Sequence, residues 1–197
     1  MINQYKTFPG KYVEQMPSLL KKEYNPLSIY DLVVKRLEVL NTAEEDFWWS
    51  TDFDTSDGIV YNLDFTFKIF LDADFLKKVD KNTSLVNGSI VLEDLFSSER
   101  TFFRNEHIFC RNLDQNESKE HHCWIKILRE NTKLLSDYSD AVWSKSSKDD
   151  NMGIFIAPPE KVLSGCALHL SQIARQSDIG GDFYLDFKRG LLVGKLN

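Results

Sequence analysis

Cysteine is scarce in this chain, which has only Cys110, Cys123 and Cys166 among its 197 residues. An odd number of thiols in a chain of this length does not make a disulfide framework, and it indicates reduced thiols in the cytosol. The first ten residues also lack the apolar run and cleavage site of a signal peptide. From these absences we expect a cytoplasmic protein.

Long apolar runs, basic clusters and nucleotide- or metal-binding motifs are missing as well. No apolar stretch approaches the ~18 residues that a membrane span requires, and no group of Lys and Arg is dense enough to predict nucleic-acid binding. The sequence contains no glycine-rich phosphate loop, no Gly-x-Ser-x-Gly elbow and no His-Glu-x-x-His motif. We therefore expect no membrane contact, no nucleic-acid partner and no cofactor; the oligomeric state is left open.

The composition is that of a globular protein, with 42% hydrophobic and 27% charged residues. Its length predicts one domain over residues 1–197, with enough buried surface to fold without disulfides or metals. The apolar pattern predicts both helices and strands, and the short turns between strands favour antiparallel pairing. The predicted fold class is α+β, a single domain with an antiparallel or mixed β-sheet, helices packed on one or both faces and a C-terminal β-hairpin.

Individual elements follow from the spacing of apolar residues. Asn25 and Pro26 suit the cap and first turn of a helix, and Asn87-Gly88 is typical of a hairpin turn. The predicted helices cover residues 12–22, 26–40, 128–142 and 158–174. The predicted strands cover residues 61–71, 89–92, 102–111, 123–128 and 153–157, and residues 183–196 form the terminal hairpin.

The negative charge is concentrated in one part of the chain. Residues 44–74 contain nine acids and one base, a net charge of −8, whereas the whole chain carries −6. Trp48, Trp49 and Phe53 lie among these acids. Crowded carboxylates repel one another and attract a basic partner, and an exposed Trp inside a charged rim is a common interface anchor.

This pattern favours a non-catalytic, stoichiometric binding protein that docks a basic protein. An immunity protein or inhibitor of a basic toxin, such as a nuclease, would need only this surface. The predicted partner-binding residues are Glu44, Glu45, Asp46, Trp48, Trp49, Asp52, Phe53, Asp54 and Asp57.

Two alternatives give the same region another role. Carboxylates from residues 52–74 could serve a metal-dependent hydrolase, and the chain could be a subunit of a larger assembly. A calcium loop starting at Asp52 fails in detail, because Gly58 comes one place late and Leu63 stands where a bidentate Glu belongs.

Histidine and cysteine form two further candidate groups. His107, Cys110, His121 and Cys123 provide the four ligands of a tetrahedral zinc site, although a strand would place His107 and Cys110 on opposite faces. Cys166 and His169 are a candidate nucleophile pair. The alternative for both groups is buried thiols and loop histidines, since burial keeps a thiol protonated.

Overall fold

The computed structural model describes residues 4–61, 67–91, 111–146, 151–156, 164–175, 177–181, 185–186 and 190–196. Within these ranges eleven strands form one mixed sheet, and seven α-helices accompany it. Strands β1 to β11 are Tyr5–Phe8, Tyr24–Pro26, Phe53–Tyr61, Phe67–Phe70, Leu85–Val86, Ser89–Val91, Arg111–Leu113, Asn151–Ile156, Ser164–Leu170, Ile179–Gly181 and Leu191–Leu196. Helices α1 to α7 are Tyr12–Leu20, Ile29–Glu38, Glu45–Trp49, Asp74–Lys77, Gln115–Glu120, His122–Ile127 and Thr132–Lys145. Within the described ranges, no helix combines the length and the hydrophobicity of a membrane span.

The sheet has the strand order β1-β11-β3-β9-β10-β8-β7, and it contains both parallel and antiparallel pairs. Strand β11 is antiparallel to β1 and β2 and parallel to β3. Strand β9 is antiparallel to β3 and β10, while β10 is parallel to β8. The predicted α+β class with a mixed sheet is therefore confirmed.

The predicted C-terminal hairpin is corrected by these pairings. Its second arm is β11, but strands from the first third of the chain flank β11 on both edges. Most of the predicted first arm, residues 183–187, lies outside the described residues. Two strand segments that are neighbours in the sequence form a hairpin only when no distant strand occupies the edge between them. The local sequence does not show which distant strands will do so.

Both faces of the sheet are covered. Successive side chains of a strand point to opposite faces, and Leu192 and Val193 accordingly belong to two different hydrophobic clusters. Val193 shares its cluster with apolar residues of α2, α3, α6 and α7, and Leu192 shares the other with α1 and α4. Helices thus pack on both faces, within the range that the sequence predicted.

Helix α2 shows why the helix after residue 25 forms, although its cap differs from the prediction. Ser28 accepts a hydrogen bond from the Asp31 N–H at 3.2 Å, and the Asp31 carboxylate accepts one from the Ser28 N–H at 3.0 Å. This reciprocal capping box starts the helix at Ile29. Asn25 and Pro26, the predicted cap, instead belong to β2.

Three predicted elements have a different structure. Residues 158–174 include strand β9 rather than a helix, because a strand buried on both faces loses its alternation. Residues 123–128 lie largely in helix α6, since a run of six apolar-rich residues is too short to distinguish the two periods. The predicted strand 61–71 contains the end of β3 and the whole of β4, which pair antiparallel, and its residues 62–66 lie outside the described ranges.

The hairpin turn and two helices agree with the sequence. Asn87 and Gly88 have φ of 50° and 76°, the left-handed pair that joins β5 to β6. Helix α7 is Thr132–Lys145 and α1 is Tyr12–Leu20, each within a few residues of its predicted bounds. Pro17 is tolerated inside α1.

A buried guanidinium joins the helical layer to the sheet. Arg36 on α2 has no exposed surface, and no carboxylate of the described residues forms an ion pair with it. Its donors instead reach the carbonyls of Trp48 at 2.9 Å, Thr51 at 3.2 Å and Ser171 at 2.9 Å. It also donates to the hydroxyls of Tyr138 at 2.7 Å and Ser177 at 3.3 Å. Five oxygens from four parts of the chain therefore depend on one side chain.

We expect Arg36→Met to lower the free energy of unfolding by about 3 kcal/mol or more. Methionine fills a similar volume but leaves three carbonyls and two hydroxyls without their donor, and each buried unsatisfied group costs roughly 1–3 kcal/mol. Urea unfolding followed by tryptophan fluorescence measures the loss. Lys133→Met is the control, because Lys133 is 84% exposed and its loss should change the free energy by less than about 0.5 kcal/mol. A loss below about 1 kcal/mol for Arg36→Met would contradict this account.

Candidate functional site

The acidic aromatic segment, residues 44–57, folds into two different elements. Its first part is helix α3, and its second part begins strand β3. Trp48 and Trp49 are the last two residues of the helix. They are 3% and 2% exposed, respectively. The exposed tryptophan anchor expected from the sequence is therefore absent at both positions.

The two indoles contribute to the protein's own core. Trp48 packs edge-on against Tyr5, with ring centroids 5.4 Å apart. Trp49 stacks on Tyr138 at 5.7 Å, and its indole N–H donates to the Arg36 carbonyl at 2.9 Å. Helical neighbours point about 100° apart, which is why adjacent tryptophans fill two different parts of one core.

The exposed acids of the segment have partners within the chain. Glu44 forms an ion pair with Lys35 at 3.2 Å, and Glu45 forms one with Lys145. The hydrogen bond from Lys145 lowers the pKa of Glu45. Asp46 accepts a hydrogen bond from the Ser50 hydroxyl at 3.1 Å. The dense negative field expected from residues 44–46 is thus largely offset by lysines that lie outside the segment.

The acids in and before β3 are less accessible. Asp52 is half-buried and accepts a hydrogen bond from the Gln172 N–H at 2.9 Å, whereas Phe53 and Asp54 are buried. These residues support the sheet rather than an exposed acidic face. Among the described residues, no three His, Cys, Asp or Glu side chains gather in a group that could hold a metal ion.

Asp57 is a buried structural carboxylate. Its two oxygens accept hydrogen bonds from the N–H groups of Ile29 and Asp72, each at 2.8 Å. Asp57 therefore joins the first turn of α2 to the chain that follows β4. Removal from water raises the pKa of Asp57 from 3.8 to about 6, and the two backbone hydrogen bonds oppose this shift.

Only half of the histidine–cysteine group can be placed. His107 and Cys110 lie outside the described residues. His121 caps helix α6 by accepting a hydrogen bond from the Cys123 N–H at 3.3 Å, and its ring stacks on His122. Cys123 is buried, and burial raises the pKa of its thiol to about 12. His121 and Cys123 have structural roles here, a cap and a core residue.

Cys166 and His169 do not form a nucleophile pair, and the alternative of a buried core thiol holds for Cys166. Residues three apart on strand β9 point to opposite faces of the sheet. Burial also raises the pKa of the Cys166 thiol, so the thiolate needed for attack is disfavoured.

A groove beside α3 is an accessible feature of the acidic aromatic segment. It has a volume of about 500 Å³, and Tyr5, Lys6, Thr7, Ala43, Glu44, Phe47, Trp48 and Val193 line it. We call it the Phe47 groove. Phe47 is 41% exposed, and its ring packs edge-on against Trp48 at 5.4 Å and Phe53 at 5.9 Å. Sequence reasoning missed the contribution of β1 and β11, because only the folded sheet brings them to α3.

No protein-family model matches this chain, and no curated protein does. A solved structure reported as "Accommodation of massive sequence variation in Nanoarchaeota by the C-type lectin fold" superposes with a TM-score of 0.64. The superposition covers 98% of each chain at 11% sequence identity. This chain has a C-type lectin-like fold.

The likeness concerns the path of the chain and not its side chains, given the low identity. In this C-type lectin-like fold, β1 and β11 pair antiparallel, with Thr7 opposite Val193. One wall of the Phe47 groove therefore combines residues from near both ends of the chain. Any role for that groove has to come from its own residues.

We expect Asp57 to make stability fall as pH rises from about 4 to about 6. The folded state binds the Asp57 proton more tightly than the unfolded state does, so this contribution is complete below pH 3.8 and is lost as pH rises through 6. The shift corresponds to about 3 kcal/mol. Urea unfolding of the wild type and Asp57→Asn between pH 4 and 8 measures it, because the difference between the two isolates Asp57.

The matched control is Asp74→Asn, since the Asp74 side chain is 87% exposed. Its free energy of unfolding should stay within about 0.5 kcal/mol of the wild type at every pH. A wild-type-minus-Asp57→Asn difference that does not change with pH would show that Asp57 is not buried as described.

Proposed function

We propose that this chain is a non-catalytic binding protein that docks a protein partner in the Phe47 groove. The observation that carries the proposal is an exposed aromatic ring held in place before any partner arrives. Phe47 keeps 41% of its surface exposed while its ring is packed against Trp48 and Phe53. A pre-ordered anchor loses little side-chain entropy on binding, so more of its contact energy becomes affinity.

The surroundings of Phe47 define the chemistry of the partner. Glu44, which directly precedes α3, and Asp46 in its first turn are exposed, and Lys35 already offsets Glu44. We infer a partner with an apolar or aromatic centre and a small number of Lys or Arg residues that face Glu44 and Asp46. A basic toxin blocked by an immunity protein is one partner of this kind. Lys35 and Lys145 already pair with Glu44 and Glu45, so a strongly basic partner would gain little from these acids. Most of the affinity would therefore come from Phe47.

The fold comparison supports a recognition role. The similar solved structure is described as a C-type lectin fold that accommodates massive sequence variation. A scaffold of that kind keeps its core while its surface changes, and this property suits a protein whose function is to recognise other molecules.

We expect Phe47→Ser to weaken partner binding at least about tenfold, since the loss of a central aromatic anchor commonly costs 2 kcal/mol or more. The partner is recovered from native lysate, prepared pure and titrated by calorimetry. Val86→Ser is the matched control, because Val86 is 40% exposed on the β5–β6 hairpin and does not line the Phe47 groove. Equal affinities for Phe47→Ser and the wild type, with both proteins folded by circular dichroism, would overturn the proposal.

The charge contribution has its own test. We expect the double variant Glu44→Gln, Asp46→Asn to weaken binding only about two- to fivefold and to flatten its salt dependence, because exposed charges act mainly through association rate. Asp137→Asn, which removes an exposed acid of α7, should leave both quantities unchanged. A loss of a hundredfold or more would instead favour a strongly basic partner held by charge.

A further inference from the structure

A second pocket lies between the N-terminal end of α2 and the C-terminal end of β11. Its volume is about 520 Å³, within the usual range for small-molecule sites. It shares no lining residue with the Phe47 groove. An inference about this pocket therefore does not rest on the proposed function.

The carboxylates in the pocket wall have partners within the protein. Asp72 forms an ion pair with Lys77 at 2.7 Å, which offsets its charge. One oxygen of Asp31 accepts hydrogen bonds from the Ser28 N–H at 3.0 Å and the Ser28 hydroxyl at 2.6 Å. These donors are neutral, so Asp31 keeps its negative charge at one side of the wall.

Two cations in the same wall are not matched in this way. Arg129 and Lys195 line the pocket, and no ion pair within 4 Å is found for either among the described residues, although the Arg129 charge also acts on the buried Asp57 carboxylate. The Arg129 guanidinium lies 4.9 Å from the centroid of the Tyr30 ring. Stacking of this kind engages the face of the guanidinium and leaves its N–H groups available for an oxyanion.

The same wall contains a hydroxyl without a hydrogen bond. Ser56 is buried, and its hydroxyl oxygen meets no partner in the described part of the chain. Its backbone is already satisfied, since its N–H donates to the Leu27 carbonyl at 3.0 Å and its carbonyl accepts from the Ala73 N–H at 2.8 Å. An unsatisfied buried hydroxyl is uncommon in a folded protein, and the Ser56 hydroxyl therefore keeps an unused donor beside the pocket.

We propose that this pocket binds the phosphate group of a small phosphate monoester. Arg129 offers a planar pair of donors, Lys195 a compact positive charge and Ser56 a hydroxyl donor. Three separate donors suit the tetrahedrally arranged oxygens of a phosphate better than the two coplanar oxygens of a carboxylate. A phosphate monoester carries a charge of about −1.5 to −2 at neutral pH, which the positive charges of Arg129 and Lys195 attract.

Calorimetric titration of the full chain with glycerol 3-phosphate at low ionic strength tests this assignment. We expect saturable binding at one site, with succinate binding at least about tenfold more weakly. Arg129→Gln and Lys195→Gln should each weaken glycerol 3-phosphate binding at least about tenfold, because a hydrogen bond to a charged group is worth that factor or more. Lys133→Gln, which removes an exposed lysine of α7, should leave the affinity unchanged.

Ser56→Ala separates a ligand role from a structural one. The hydroxyl has no partner in the free protein, so its removal should leave the melting temperature unchanged or raise it while weakening glycerol 3-phosphate binding. A lowered melting temperature with unchanged affinity would show that Ser56 only supports the fold. The proposal is overturned if glycerol 3-phosphate does not saturate, if succinate binds equally well, or if Lys133→Gln weakens binding as much as Arg129→Gln does.

Discussion

The buried guanidinium of Arg36 is the constraint on which the helical layer depends. A cation removed from water has to replace its hydration, and here three carbonyls and two hydroxyls do so. Two of those carbonyls, from Trp48 and Thr51, lie at the end of α3 and just after it. The guanidinium thereby fixes where α3 ends and β3 begins. The position of Phe47, one residue before Trp48, follows from that anchoring.

Basic side chains from other parts of the chain explain why the acidic aromatic segment does not form one acidic surface. Lys35, Arg36 and Lys145 all meet residues 44–51, although they lie outside that stretch of sequence. Aromatic rings contact these cations as well. The Lys35 and Lys145 amines lie within 6 Å of the ring centroids of Trp48 and Trp49, respectively. The acids are neighbours in the sequence, whereas the bases that offset them lie in α2 and α7 and reach them only in the folded chain.

How far the sequence predicts this fold depends on how local each signal is. The Asn87-Gly88 turn was predictable because the left-handed conformation restricts which residues fit it. Helices α2 and α7 were predictable because each keeps one polar face over several turns. Strand β9 was not predictable, because Ser164–Leu170 is buried on both faces. Such a strand lacks the alternation of apolar and polar residues that would identify it. The pairing of β11 with β1, β2 and β3 leaves no local trace.

The candidate sites follow the same division. Phe47 lay inside the segment that the sequence selected, but the groove around it needs Tyr5 and Val193, which only the sheet brings close. Nothing in the sequence links Ser56, Arg129 and Lys195, because none of them belongs to a motif. Only the folded chain brings them into the wall of one pocket. Distant residues that meet at a surface are the class of site that a single sequence hides most completely.

Helix α2 relates the two surfaces to each other. Its first residue, Ile29, donates to the buried Asp57 carboxylate near the phosphate pocket, and its later residues Lys35 and Arg36 support α3 and the Phe47 groove. The sheet joins the two surfaces more directly, because Tyr5 of the Phe47 groove is paired with Lys195 of the phosphate pocket across β1 and β11. Residues in contact commonly couple, so substitutions at Tyr5 and Lys195 should have non-additive effects on stability.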